Sequence, residues 1–198
     1  MQKIQTGEYL QREPAILILE AIDPPNLLDI ACETANGFGT TEKIAARIIQ
    51  NKAKTTDINR LLDIITKANF TIPVNAACDT ITKICPTNAQ NIFFEYLETN
   101  QNIQDWKRRI IIGYIAESDV KRYNQNPLQV FDDFKPNEIE LLEFLKGILK
   151  NKHYTEETKQ QIIQTITEEL EENLPPHYDP ITVRQILEQC MLEQHFSE

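Results

Sequence analysis

Glycine and valine are scarce in this chain, and the alternating apolar patterns that build sheets are nearly absent. A β architecture is therefore not expected. None of the four cysteines, Cys32, Cys78, Cys85 and Cys190, belongs to a Cys-x-x-Cys pair. Each sits in an apolar helical pattern, as core thiols in a reducing compartment do. Cys78 and Cys85 are seven residues apart, which puts them on one helical face but too far apart for a disulfide. Long apolar runs are missing too. Ala15-Ile16-Leu17-Ile18-Leu19 ends at Glu20 and lacks the basic flank of a secretory signal. Nothing approaches the roughly 20 apolar residues that cross a bilayer. A cytoplasmic location is expected, without membrane contact.

Positive charge is short as well. The formal net charge is −10. Residues 1–120 carry 12 basic and 15 acidic side chains, and residues 121–198 carry 8 and 15, so the excess lies toward the C-terminus. That field repels phosphate backbones and anionic lipids, which disfavours nucleic-acid and membrane partners. It steers in a basic protein.

What the chain does have is helical periodicity. Asp23-Pro24-Pro25 opens a helix carrying Leu27, Leu28, Ile30 and Ala31, stopped at Gly37 and Gly39. Thr40 or Thr41 caps a second, with Ile44, Ala45, Ile48 and Ile49 at the 3,4 spacing. A third begins near Thr56-Asp57. A fourth opens at Pro73 and closes at Pro86. A fifth follows from Asn88, and a sixth runs from Gln104 with Trp106, Ile110, Ile111 and Tyr114. Short turns join them as hairpins. Successive hairpins step by about 32 residues, and Leu27-Leu28-Asp29-Ile30 recurs as Leu61-Leu62-Asp63-Ile64. One hairpin cannot bury its apolar face alone, so this period predicts stacking.

The expected fold is all-α, with antiparallel hairpins stacked as a short right-handed α-solenoid; the alternative is an irregular helical bundle. Residues 1–198 are read as a single α-helical domain. Within it, residues 24–119 form three hairpin repeats and residues 120–136 an insertion with one short helical turn around Val130-Phe131-Phe134. Residues 137–198 form a fourth hairpin and an acidic terminal helix from Asp179-Pro180.

Few residues are spaced for chemistry. His153, His177 and His195 lack the spacing that puts two metal ligands on one helical face. Gly37-Phe38-Gly39 has no following lysine or preceding strand, so it reads as a helix stop rather than a phosphate loop. Glu138, Glu140 and Glu143, like Glu168, Glu169, Glu171 and Glu172, read as wet faces of amphipathic helices. No catalytic residue, metal site or cofactor is expected. The single basic cluster is Lys107-Arg108-Arg109 beside Trp106, able to hold an acidic group. Trp106 shares a stripe with Ile103 and Ile110 and is expected to pack inward.

Asn91-Ile92-Phe93-Phe94-Glu95-Tyr96-Leu97, a short turn, and Asp105-Trp106-Lys107-Arg108-Arg109-Ile110-Ile111-Ile112-Gly113-Tyr114-Ile115 resemble a HEAT-type repeat: an apolar first helix, then a second with an early Asp and a following Arg. The resemblance covers residues 24–119, and 137–172 more loosely. It implies a curved stack whose second helices line a partner-binding surface. The exposed members of those helices would be Lys43, Arg47, Asp79, Lys83, Lys107, Arg108 and Arg109. Such proteins act as scaffolds or adaptors for other proteins, the first reading here. A second reading is a small acidic inhibitor, such as an immunity protein that neutralises a basic toxin or nuclease. A third is a HEAT-like alkylpurine DNA glycosylase using Asp105, Trp106 and Arg109, which the overall charge opposes.

Overall fold

A computed structural model of the chain describes residues 9–35, 40–172 and 185. Among the described residues the fold is all-α, with no strand. The chain divides into two compact units, residues 1–86 and 87–198.

The first unit holds α1 (Tyr9–Ile22), α2 (Leu27–Thr34), α3 (Thr40–Lys52), a 3-10 turn (Thr55–Asp57), α4 (Ile58–Lys67) and α5 (Thr71–Ile84). Asp23 ends α1 in the left-handed region at φ 53°, a conformation that a short polar side chain tolerates. Lys52 reaches the Asp23 carboxylate at 2.7 Å and ties that corner to the end of α3. The turn before α4 is held by Asp57, whose carboxylate accepts from the backbone N–H of Lys54 at 2.9 Å. Pro73 falls in the first turn of α5, where its missing N–H costs little.

Helix α2 pairs with α3, and α4 with α5. Between the pairs, α3 lies along α5 and α2 touches α4. Ile48, Ile49, Leu61, Ile65, Val74, Cys78 and Ile81 fill the space between them and are fully or almost fully buried. Burial of each large aliphatic chain stabilises by roughly 1.5–3 kcal/mol, so one hairpin alone forgoes much of its driving force. Helix α1 lies outside the expected hairpins; its apolar residues run consecutively, without a helical period, and Pro14 lies inside it. It packs on α3 through the fully buried Ile16.

The second unit holds α6 (Ala89–Thr99), α7 (Asp105–Ser118), α8 (Arg122–Gln125), α9 (Gln129–Phe134), α10 (Glu138–Lys150) and α11 (Glu156–Glu172). Helix α6 pairs with α7, and α7 makes the most extensive contact among the described helices, with α10. Gly113 on α7 and Gly147 on α10 let the two backbones meet; a Cβ on Gly147 would lie 2.2 Å from the Gly113 carbonyl oxygen. The segment 120–136 differs from the expected loop with one helical turn. It forms two short helices that bury Tyr123, Val130 and Phe134. Lys135 closes α9 at φ 44°, and Asn137 starts α10 by accepting from the N–H groups of Ile139 and Glu140.

A buried polar node joins α7, α8 and α10. Asp119 is fully buried and accepts from the backbone N–H groups of Arg122 and Tyr123, both at 2.9 Å, from Gln90 at 2.7 Å and from the Tyr154 hydroxyl. Asn151 donates to the carbonyls of Ala116 and Asp119, both at 2.8 Å, and accepts from the N–H of His153. Apart from residue 185, the expected terminal helix from Asp179, with Cys190, lies outside the described residues, as do His177, His195 and Gly37-Phe38-Gly39.

Candidate functional site

The seven residues expected on the binding surface fall into two sets. Lys43, Arg47, Asp79 and Lys83 are exposed on α3 and α5 of the first unit. Arg47 is paired with Glu20 of α1 at 2.5 and 3.0 Å, and Gln50 donates to Asp79 across the α3–α5 seam at 3.2 Å. These contacts order the outer ridge of the two neighbouring helices.

The second set departs from expectation. Lys107, expected to be exposed, is only 4% exposed. It shares the inward stripe of Ile111 and Ile115, so burial of its stem follows from helical spacing, and desolvation lowers its pKa. Its ammonium lies 5.4 Å from the centre of the Trp106 ring. Trp106, expected to pack inward, is half-buried one residue off that stripe, and its indole donates to Gln104 at 3.0 Å. Arg108 is half-buried and engaged: Nε donates to Glu140 at 2.8 Å and Nη2 to the Phe134 carbonyl at 2.7 Å. Arg109 is half-buried. The three cations therefore do not form an open patch. Asp105 is exposed at the first turn of α7.

Around Arg108 the second unit opens a cleft of about 470 Å³, with Asn91, Phe94, Glu95 and Glu98 of α6 on one side and Arg122, Asp133 and Phe134 on the other. Phe94 and Phe134 stack with ring centres 5.2 Å apart and planes 10° from parallel. The Arg122 guanidinium sits 4.7 Å from the centre of Phe94 and donates to Asp133 at 2.6 Å, a bond that raises its pKa. Burial, then the charge of Asp133, pushes the Tyr123 phenol up, so it keeps its proton at neutral pH. The side chains of Glu140 and Asp133, the two carboxylates holding the arginines, are each only 6% exposed. Glu140 is thus not on a wet face as expected. It lies beneath Arg108 and also caps α10 through the N–H of Asn137.

A smaller cleft of about 360 Å³ in the first unit is lined by Asp29, Cys32, Glu33, Arg60, Asp63 and Lys67. Cys32 and Cys85 are half-buried rather than core, whereas Cys78 is fully buried. Burial pushes the Cys32 thiol up to about 11, against the pull of Arg60, so little thiolate exists there at neutral pH. Among the described residues no group of His, Cys, Asp and Glu is placed to hold a metal ion. No described helix is long and apolar enough to cross a membrane. No family model, curated protein or solved structure matches this chain.

One titratable group elsewhere is held at a cost. Glu42, at the start of α3, is 6% exposed, and its Oε1 has no hydrogen-bond partner. Burial raises its pKa, against the pull of Lys43 and of the Ile72 backbone N–H. A raised folded-state pKa contributes stability below the unfolded value, and that stability is lost as pH rises through the folded one. Glu42→Gln, which removes the charge and keeps the shape, is therefore expected to stabilise at pH 7 by about 1 kcal/mol, the low end for a partly compensated buried polar group, and to be nearly neutral at pH 4. Urea unfolding at the two pH values checks this, and an equal effect at both would contradict the sign.

Proposed function

We propose that this chain is a cytoplasmic protein-interaction module without catalysis of its own, built on a short α-solenoid. The observation that carries the reading is the stacking within the first unit. There, α3 lies along α5 and α2 touches α4, so consecutive hairpins bury their apolar sides against each other. Lys43, Arg47, Asp79 and Lys83 stand exposed along the neighbouring second helices, the side from which stacked helical repeats present a partner surface. The partner is a protein that offers this ridge, with its three cations and one carboxylate, an acidic or neutral face; the net charge of −10 repels phosphates and steers any basic segment of that protein elsewhere on the chain.

That same charge favours a second reading, an acidic inhibitor that neutralises a basic toxin or nuclease. Salt separates the two. An inhibitor bound through charge weakens steeply between about 0.05 and 0.5 M salt, while a solenoid surface that buries apolar area weakens little. The test of the first reading is retention of a saturable protein partner by the immobilised full chain. That partner should be lost from the Lys43→Ala/Arg47→Ala/Lys83→Ala variant, with helicity unchanged by circular dichroism. Undiminished retention would remove this ridge from the interface, and retention of duplex DNA at physiological salt would overturn the reading.

A further inference from the structure

We infer that the α6–α9 cleft of the second unit is a docking pocket for an arginine or lysine side chain from a basic segment of a partner protein. The inference rests on the interaction reading above and gives that partner a chemistry and a place. Charge accounting decides the sign of the ligand. Arg108 and Arg122 stand in the cleft wall, but each guanidinium is already held by an almost fully buried carboxylate, Glu140 or Asp133. Arg108 is also tied to the Phe134 carbonyl. An incoming anion would have to compete with partners that cannot move away without being left buried and unpaired.

The uncompensated charge is negative. Glu95 and Glu98 are one helical turn apart on α6, both exposed at the cleft, and neither has an ion-pair partner among the described residues. Four carboxylates thus meet two guanidiniums, and the cleft is left acidic within a chain that is itself strongly acidic. Its wall supplies apolar surface chiefly in the half-buried Phe94, which is stacked on the almost fully buried Phe134. A long cationic side chain suits such a mixture, because its methylene stem covers apolar surface while its head stays with the carboxylates. The volume of about 470 Å³ accommodates one such chain with neighbouring backbone.

The test is calorimetric titration of the full chain with an acetylated, amidated hexa-arginine peptide at low salt. Glu95→Gln/Glu98→Gln should weaken the peptide roughly tenfold, on the scale of losing two rim charges. The control Glu157→Gln/Glu168→Gln removes the same charge from exposed positions on α11 and should change affinity by less than about twofold. Equal weakening in both variants would overturn the pocket and leave the interaction reading standing on another surface. No binding to the unmodified chain would remove both the pocket and the basic-partner reading. Saturable binding of inorganic phosphate that Arg122→Gln abolishes would reassign the cleft to anions and overturn the inference.

Discussion

Gly147→Ala is expected to destabilise the protein by about 3 kcal/mol, the upper range for forcing atoms into a packed contact. The added Cβ would lie 2.2 Å from the Gly113 carbonyl oxygen, 2.8 Å from the Ala116 Cβ and 3.1 Å from the Glu117 backbone nitrogen. Two of these three are backbone atoms of α7, so no side chain can rotate to make room. Relief requires α10 to move away from α7 along the most extensive contact among the described helices. That loss is net of alanine's higher helix propensity, which returns only about 1 kcal/mol. Gly113→Ala is the matched control. Its Cβ would meet the Glu143 carbonyl oxygen at 3.2 Å, a contact that a shift of a few tenths of an ångström relieves. There the helix-propensity gain offsets the strain, and the net effect is near zero. Thermal unfolding followed at 222 nm should show Gly147→Ala melting roughly 6–12 °C lower. Identical melting of the two variants would mean that the helices do not cross at these glycines.

That crossing shows where the sequence was legible and where it was not. The periodicity of residues 27–118 and 138–172 is set by helices that each turn one apolar stripe inward, and such stripes can be read from spacing alone. Hence α2 to α7 begin within a few residues of where Asp23-Pro24-Pro25, Thr40, Asp57, Pro73, Asn88 and Gln104 suggest, and α10 and α11 fall within the fourth hairpin expected after residue 137. Helix α1 was hidden because it is apolar on two sides. Ile16 is buried, while Leu17, Ile18 and Ile22 are exposed, and a continuous run carries no period. The segment 120–136 was hidden for a different reason. Its short helices gain their stability from Tyr123, Val130 and Phe134 reaching into the unit's core, a tertiary effect that Asn-rich, Pro-bounded sequence does not display.

The candidate cleft was half legible. Arg108 stood out as part of a basic run, but the residues that define its surroundings are distant in sequence. Phe94, Arg122, Asp133 and Glu140 come from four helices, two of them in the segment read as loop. The stripe on α7 was also misplaced by one residue. Trp106 is the largest apolar side chain there and attracts an inward assignment, yet the inward line runs through Lys107, Ile111, Ile115 and Ser118. A lysine at the edge of a core is compatible with that line because only its stem needs burial. Composition gives no hint of it.

Asp119→Ala is expected to cost about 3–5 kcal/mol, the scale of dismantling a buried network around a carboxylate. The carboxylate is fully buried and serves donors from three directions: the N–H groups that start α8, Gln90 of α6, and Tyr154 between α10 and α11. Its removal strands these donors in a site that water does not reach, and each left unpaired costs about 1–3 kcal/mol before relaxation. Burial, and next the hydrogen bond to Asp119, holds the Tyr154 phenol above its ordinary pKa, so it donates throughout the neutral range. Asp119→Asn keeps the shape and one acceptor oxygen but sets an amide N–H₂ against some of the same donors, so it should recover only part of the loss. Asn151→Ala acts on the neighbouring bonds, leaving the Ala116 and Asp119 carbonyls without their shared donor. Because both side chains belong to one node, the double variant Asp119→Ala/Asn151→Ala should lose less than the sum of the single losses. Urea unfolding of the three variants measures that coupling. Strict additivity, or a loss for Asp119→Ala below about 1 kcal/mol, would show that the node is wetter and less cooperative than its geometry requires.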